Sequence, residues 1–149
     1  MIQKLGDSRR NINIPKVWRR EFGEAFANTL LAVNAAPGTL ISTSRTVTLY
    51  EPSYIRVNAK CAMFAEDNVQ YWGELYIYEG AGGVTLRDYN YATCQNTGAP
   101  ATDERDGCNV LYDALYAVGS YVFEIRARGA VANKVTAMSN FWTIDVCRD

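Results

Sequence analysis

The side chains most able to do chemistry in this sequence are four cysteines, and no histidine accompanies them. The cysteines are Cys61, Cys94, Cys108 and Cys147. Without an imidazole, one chain cannot assemble a Ser-His-Asp or Cys-His mechanism, and metal sites that need a histidine ligand are excluded. No two cysteines form a Cys-x-x-Cys pair, which argues against zinc binding and thioredoxin-like chemistry.

The positions of the cysteines predict different environments for them. Cys61 alternates with apolar residues and is expected to be buried as a small hydrophobic side chain. Cys94 and Cys108 flank a long polar segment and could pair in an oxidising medium, whereas free thiols are expected in a reducing compartment. Because four cysteines allow three connectivities, the sequence leaves their pairing open.

Carboxylates are the second candidate for chemistry. The acidic run from Asp103 to Asp106 could offer oxygens to calcium, but it lacks the Asp-x-Asp-x-Asp-Gly spacing of a dedicated loop, and we expect no metal. Glu74, Glu79 and Glu124 could support glycoside hydrolysis, although their strand positions are more typical of surface charge. The sequence therefore predicts a protein that is not an enzyme, with no catalytic residues and no cofactor. An enzyme that acts on polysaccharide is the less favoured alternative hypothesis.

A glycine-rich segment, Gly80–Gly83, raises the question of phosphate binding. It lacks the sixth-position glycine of a dinucleotide fingerprint and the Gly-Lys-Ser/Thr of a P-loop. A hairpin turn whose residues adopt positive φ explains it better.

Charge is divided unevenly along the chain. Residues 1–20 contain six basic residues and one acidic residue, a net of +5, so the other 129 residues carry −6 within a total of −1. The six basic residues are Lys4, Arg9, Arg10, Lys16, Arg19 and Arg20. This division predicts a basic N-terminal arm that binds an acidic neighbouring subunit, with a solvated terminus as the alternative. The near-neutral total charge of −1 argues against a nucleic-acid partner, because phosphate neutralisation needs a basic excess.

Large apolar residues then recur at helical spacing. Trp18, Phe22, Phe26, Leu30 and Val33 are separated by four, four, four and three residues, which predicts a short amphipathic helix over about residues 15–27. A strand from residue 28 to 33 is equally compatible with the pattern. We divide the chain into an arm with this helix, residues 1–36, and a β domain, residues 37–149. The predicted partner-binding residues are Arg9, Arg10, Trp18, Arg19, Arg20, Phe22 and Phe26.

From residue 39 onward the hydrophobic period is two, as in half-buried strands. The clearest examples are residues 54–64, 120–128 and 141–146. Further strands are expected at Thr39–Leu49, Tyr71–Glu79, Val84–Asp88, Asn109–Tyr116 and Val131–Met138, and the longest loop at 89–107. Seven or eight short strands bounded by turns predict an antiparallel sandwich or barrel.

One of these strands carries an aromatic stripe. If Leu75 and Ile77 face the core, then Trp72, Tyr76 and Tyr78 share the opposite face. Exposed aromatic residues are enriched in interfaces, so this face is a candidate oligomer or ligand surface. A reversed register, or coverage by the protein's own N-terminal segment, would bury the stripe.

The C-terminal half resembles jelly-roll domains of the tumour-necrosis-factor and complement-globular-head type, as they occur in bacteriophage virion proteins. The resemblance lies in Leu115–Arg128 as a penultimate strand, Ser139–Val146 as an aromatic-rich last strand, and residues 47–79 as earlier strands. The chain departs from that pattern in its four cysteines and in its first 36 residues. The resemblance implies an all-β jelly-roll sandwich that self-associates, often as a trimer, or binds a receptor, without catalytic residues.

Taken with the charge division, the resemblance predicts a structural protein of a virus particle, such as a phage head or tail accessory component. Its partners would be other virion subunits and copies of itself, with a cell-surface glycan as an alternative ligand. No apolar run approaches the ~20 residues of a membrane span, and no signal peptide is recognisable at residues 1–10, so we expect synthesis in the host cytoplasm.

Overall fold

The computed structural model describes residues 16–96, 104–105 and 107–148. Its regular elements in these ranges are all β-strands. They are β1 (Arg19–Phe26), β2 (Thr29–Leu30), β3 (Thr39–Leu40), β4 (Arg45–Leu49), β5 (Ser53–Ala65), β6 (Tyr71–Glu79), β7 (Thr85–Gln95), β8 (Glu104–Arg105), β9 (Gly107–Tyr116), β10 (Gly119–Gly129) and β11 (Val135–Arg148). No helix in the described part is long and apolar enough to cross a membrane.

The strands form two antiparallel sheets that pack as a sandwich. Sheet A has the order β1-β11-β5-β9, with β2 also paired to β11. Sheet B has the order β3-β10-β6-β7-β8, with β4 also paired to β10. The chain passes from β4 in sheet B to β5 in sheet A, back to β6 and β7, and then alternates between sheets through β9, β10 and β11. Two sheets connected in this way form a jelly-roll sandwich; the strand pattern predicted an antiparallel sandwich or barrel, and the family resemblance implied the jelly roll.

Strand alternation builds the core between the sheets. On β5 every second residue from Ile55 to Met63 is at most 4% exposed, and on β10 Phe123, Ile125 and Ala127 are fully buried. Trp142 is the largest buried side chain and lies on the central strand β11. The period of two predicted for residues 54–64 and 120–128 is therefore confirmed.

The predicted N-terminal helix is wrong, because residues 19–26 form strand β1 instead. β1 pairs with β11 from Arg19 opposite Val146 to Phe26 opposite Asn140, with a bulge between Arg20 and Phe22. A spacing of four residues fits a strand as well as a helix, since four is also a multiple of the strand period. Tertiary pairing with β11 decides between them, and it places the Phe22 ring 4.9 Å from that of Trp142.

Two further boundaries differ from the sequence prediction. β7 continues to Gln95, so part of the expected long loop is strand, and β11 begins at Val135 and runs on to Arg148. Residues 97–103 and 106 of that loop lie outside the described residues, and residues 104–105 form β8. A division of the chain at residue 36 would cut through sheet A, because β1 and β2 belong to it and Leu31 is fully buried.

The predicted hairpin turn connects β6 and β7. Gly80, Gly82 and Gly83 all have positive φ, at 93°, 86° and 72°. A Cβ on Gly83 would lie 2.6 Å from the Cβ of Pro37, so the turn also needs glycine for close packing.

Candidate functional site

The first candidate site is the outer face of sheet B around β6. Leu75 and Ile77 are fully buried in the core, so Trp72, Tyr76 and Tyr78 point outward as the alternation predicted. Only Trp72 is substantially exposed, at 38%, whereas Tyr76 and Tyr78 retain 4% and 5% exposure. Of the two alternatives that the sequence left open, exposure of the stripe holds for Trp72 and burial by the protein itself holds for the two tyrosines.

An arginine of the neighbouring strand β10 covers this stripe. The guanidinium carbon of Arg128 lies 5.5 Å from the Trp72 ring centroid and 5.9 Å from that of Tyr76. The Glu74 carboxylate holds Arg128 in place by accepting a hydrogen bond from its Nε, and it also accepts one from the Tyr76 hydroxyl. Arg128, a residue of the same sheet, therefore covers the stripe. This differs from both sources of burial considered from the sequence, which were a reversed register and the N-terminal segment.

The charges of this cluster stay fixed near neutral pH. Burial alone would raise the pKa of Glu74, but hydrogen bonds from Arg128 and Tyr76 outweigh it and hold the pKa below its usual range. Burial and the neighbouring Glu74 carboxylate both raise the pKa of the Tyr76 phenol. Glu74 is consequently an ionised, hydrogen-bonded partner of Arg128.

Two tyrosines of β7 extend the exposed aromatic surface. Tyr89 lies opposite Tyr76 and Tyr91 opposite Glu74, and they are 55% and 65% exposed. The sequence analysis does not identify them as surface aromatic residues, because it predicts a loop at residues 89–107. The alternation Tyr-Asn-Tyr at residues 89–91 was the signal available for a strand with an aromatic outer face. We call the exposed set Trp72, Tyr89 and Tyr91, with Arg128 beside it, the aromatic face.

Glu124, one of the three carboxylates considered for hydrolysis, is buried and fully engaged. It is 2% exposed, accepts a 2.6 Å hydrogen bond from the Ser44 hydroxyl and a 2.9 Å bond from Arg126 Nε, and accepts the Gly82 amide at 3.2 Å. These donors outweigh the effect of burial and lower the pKa of Glu124. The expectation of a solvated surface charge is wrong for this residue, whose contacts join three chain segments.

Glu79 is likewise tied into a polar cluster. It accepts hydrogen bonds from Arg87 at 2.8 Å and from the Tyr116 hydroxyl at 2.7 Å. Both sheets contribute to this cluster, because β6 and β7 belong to sheet B and β9 to sheet A.

The predicted partner-binding residues separate into three groups. Phe22 and Phe26 pack against the core, so they face the inside of the sandwich. Trp18 and Arg20 meet residues of the outer face of sheet A: Trp18 stacks against the Arg56 guanidinium at 3.9 Å, and Arg20 forms a 2.6 Å ion pair with Asp145.

Arg19 belongs to neither group. It is 77% exposed in its side chain and forms an ion pair with Glu21. Arg9 and Arg10 lie outside the described residues.

None of the four cysteines forms a disulfide, and all four are buried. The sequence analysis considered a Cys94–Cys108 pair. In the structure, the cysteine directly opposite Cys108 on β9 is Cys61 on β5. Burial raises the pKa of Cys108 to about 11, and burial together with the charge of Cys108 raises that of Cys61 further. Among the described residues no group of three or more His, Cys, Asp or Glu side chains could hold a metal ion.

Comparison with known proteins gives only remote structural likenesses. No protein-family model matches the chain, and no curated protein matches its sequence. The chain is similar to Eiger TNF from S. frugiperda, with 11% identity, a TM-score of 0.42, and coverage of 91% of this chain and 94% of that one. It is also similar to a carbohydrate-binding module of Cellvibrio mixtus lichenase 5A in complex with cellotriose, with 14% identity, a TM-score of 0.34, and coverage of 85% and 90%. Both scores are below 0.5, so the jelly-roll assignment rests on the strand order of the two sheets.

Proposed function

We propose that this protein is a non-catalytic structural subunit that associates with copies of itself through the aromatic face. The supporting observation is that Trp72, Tyr89 and Tyr91 are exposed on two adjacent strands, β6 and β7. Aromatic and arginine side chains are the types most enriched in interfaces, because they bury a large area with few rotatable bonds.

The cluster below the exposed rings favours this role. The buried Tyr76 lies under Arg128, and its ring centroid is 6.1 Å from that of the exposed Tyr89. Because Glu74 fixes Arg128, the face is held rigid before a partner arrives, and little side-chain entropy is lost on binding.

The finer proposal is a subunit of a virus particle, in the head or tail of a bacteriophage. It is supported by the sequence resemblance and by the basic N-terminal segment, which would dock onto another subunit through Arg9, Arg10, Arg19 and Arg20. The assembly we expect is a homo-oligomer, with a trimer favoured.

Sedimentation equilibrium tests self-association directly. The wild-type protein should sediment with the mass of several 16.6 kDa chains, and the double variant Tyr89→Ser, Tyr91→Ser should sediment as a monomer with unchanged circular dichroism. Tyr50→Ser is the matched control, because Tyr50 is 89% exposed but lies between β4 and β5, away from the aromatic face. A monomeric wild type, or a double variant that still forms oligomers, would refute the proposal.

A second candidate function is carbohydrate binding, and one observation favours it. The partly exposed Trp72 ring lies beside the Arg128–Glu74 ion pair, so a pyranose ring stacked on the indole would find hydrogen-bonding groups at its edge. A glycan array should then give a signal that Trp72→Ala abolishes. No glycan signal, together with a mass of several chains, favours assembly.

A further inference from the structure

A depression of about 390 Å³ lies on the outer face of sheet A, opposite the aromatic face. Its lining residues are Arg20, Arg56, Asn58, Lys60, Leu111, Phe141, Thr143 and Asp145. Across the strands, Gly23, Thr143, Asn58 and Leu111 occupy one level of the sheet. The two central side chains of this level, Thr143 and Asn58, are shorter than Phe141 and Lys60 on one side and Asp145 and Arg56 on the other, so a recess forms between two taller rows.

The first of these taller rows consists of alternating charges. Arg20, Asp145, Arg56 and Asp113 are cross-strand neighbours on β1, β11, β5 and β9. Arg20 Nε lies 2.6 Å from Asp145, and an Arg56 terminal nitrogen lies 2.8 Å from Asp113. Each arginine thus has one carboxylate, and the row has no net charge.

The second row supplies the uncompensated charge. Phe141 on β11 lies opposite Lys60 on β5, and the Lys60 ammonium is 6.0 Å from the Phe141 ring centroid. Lys60 is exposed, and no carboxylate pairs with it in the part of the chain that the structure describes. One cation therefore faces the recess with its charge available.

Buried polar atoms at the wall and the floor of the recess also lack partners. The Nε of Arg56 and the Oδ1 of Asn58 are buried, and neither has a hydrogen-bond partner within the described residues. The Arg56 guanidinium stacks on the Trp18 ring, whose centroid lies 3.9 Å from the guanidinium carbon. A hydrogen-bond acceptor that entered the recess with modest side-chain adjustment would satisfy the Arg56 Nε–H, whereas Asn58 Oδ1 would need a donor such as a peptide N–H.

We propose that this recess binds a carboxylate side chain from an acidic segment of a partner protein. The carboxylate pairs with Lys60, and the aliphatic stem of the same side chain packs on Phe141 and Leu111. The inference rests on the proposed role in assembly for the nature of its occupant, but it uses the opposite face of the sandwich from self-association.

The carboxylates on this face distinguish a peptide from a nucleic acid. Asp113 and Asp145 stand in the row beside the recess and would repel a continuous phosphodiester backbone. A segment with one inserted carboxylate avoids that repulsion.

Fluorescence anisotropy tests the proposal with three labelled probes: a serine-glycine hexapeptide that carries one central glutamate, the same hexapeptide without the glutamate, and a six-residue oligothymidylate. The glutamate peptide should bind, the neutral peptide should not, and Lys60→Gln should weaken binding of the glutamate peptide about tenfold, as expected for the loss of one charge-assisted contact. Lys134→Gln is the matched control, since it removes the same charge from the end of the sandwich where Lys134 pairs with Asp67.

The proposal is overturned if the glutamate peptide does not bind, if both lysine variants weaken binding equally, or if the oligothymidylate binds more tightly. Sedimentation of Lys60→Gln separates this inference from the proposed function. Weakened peptide binding with an unchanged oligomeric mass supports the recess as a distinct site, and peptide binding can fail while self-association stands.

Discussion

Replacing the buried Glu124 should destabilise the fold far more than replacing an exposed carboxylate. In Glu124→Gln, the hydrogen bonds from Ser44 and Gly82 are no longer made to a charged acceptor. The Arg126 guanidinium, whose side chain is 13% exposed, also loses its counterion. Breaking a buried ion pair by removing one partner costs about 3–5 kcal/mol. Arg126 retains some solvent access and a hydrogen bond to the Gly38 carbonyl oxygen, so we expect about 3 kcal/mol.

Urea unfolding followed by tryptophan fluorescence at pH 7 measures this loss. Glu51→Gln is the matched control, because Glu51 pairs with Arg148 at the surface with 51% of its side chain exposed, and it should cost under about 1 kcal/mol. Equal losses of unfolding free energy in the two variants would refute our account of Glu124.

The pH dependence gives an independent check on the same carboxylate. The folded-state pKa of Glu124 lies below the unfolded value of about 4.3, so its stabilising contribution is complete above about pH 5 and is lost as the pH falls through the folded pKa. The difference in unfolding free energy between wild type and Glu124→Gln should therefore shrink between pH 5 and pH 3. A constant difference over that range would contradict the assignment.

Two other predictions concern the core and the first strand. The four cysteine thiols are buried, and burial raises the pKa values of Cys61 and Cys108. A thiol-specific disulfide reagent should therefore label none of them in the native protein and all of them in urea. Labelling of the native protein would contradict their burial. Phe22→Ala should lower the unfolding free energy by about 1–3 kcal/mol because it removes the edge-to-face contact with Trp142, whereas a helical arm independent of the sandwich predicts no change.

The sequence determined the strands wherever burial on one side enforces a period of two. Residues 55–63 and 121–127 were assigned correctly because both segments lie in the middle of a sheet, with one face in the core and the other outward. The first strand was mistaken for a helix because its aromatic spacing satisfies both periods, and only its pairing with β11 resolves the ambiguity.

The candidate surfaces were harder to predict because they depend on contacts between distant residues. The sequence placed Tyr76 on the outer face of its strand, but its burial depends on Arg128, which lies 52 positions later and on another strand. The recess on sheet A likewise combines side chains from four strands, and its short floor residues Thr143 and Asn58 carry no recognisable motif. Alternation reveals which way a side chain points, but not what covers it.

The pairing of β1 with β11 has a consequence for how the chain folds. Arg20 and Asp145 are partners separated by 125 positions, so sheet A cannot close until almost the whole described chain has been synthesised. Proteins dominated by such distant pairings fold in milliseconds to seconds, more slowly than those built from local contacts. Until β11 is available, the basic residues and the aromatic side chains of the first strand remain accessible to chaperones or to other nascent chains.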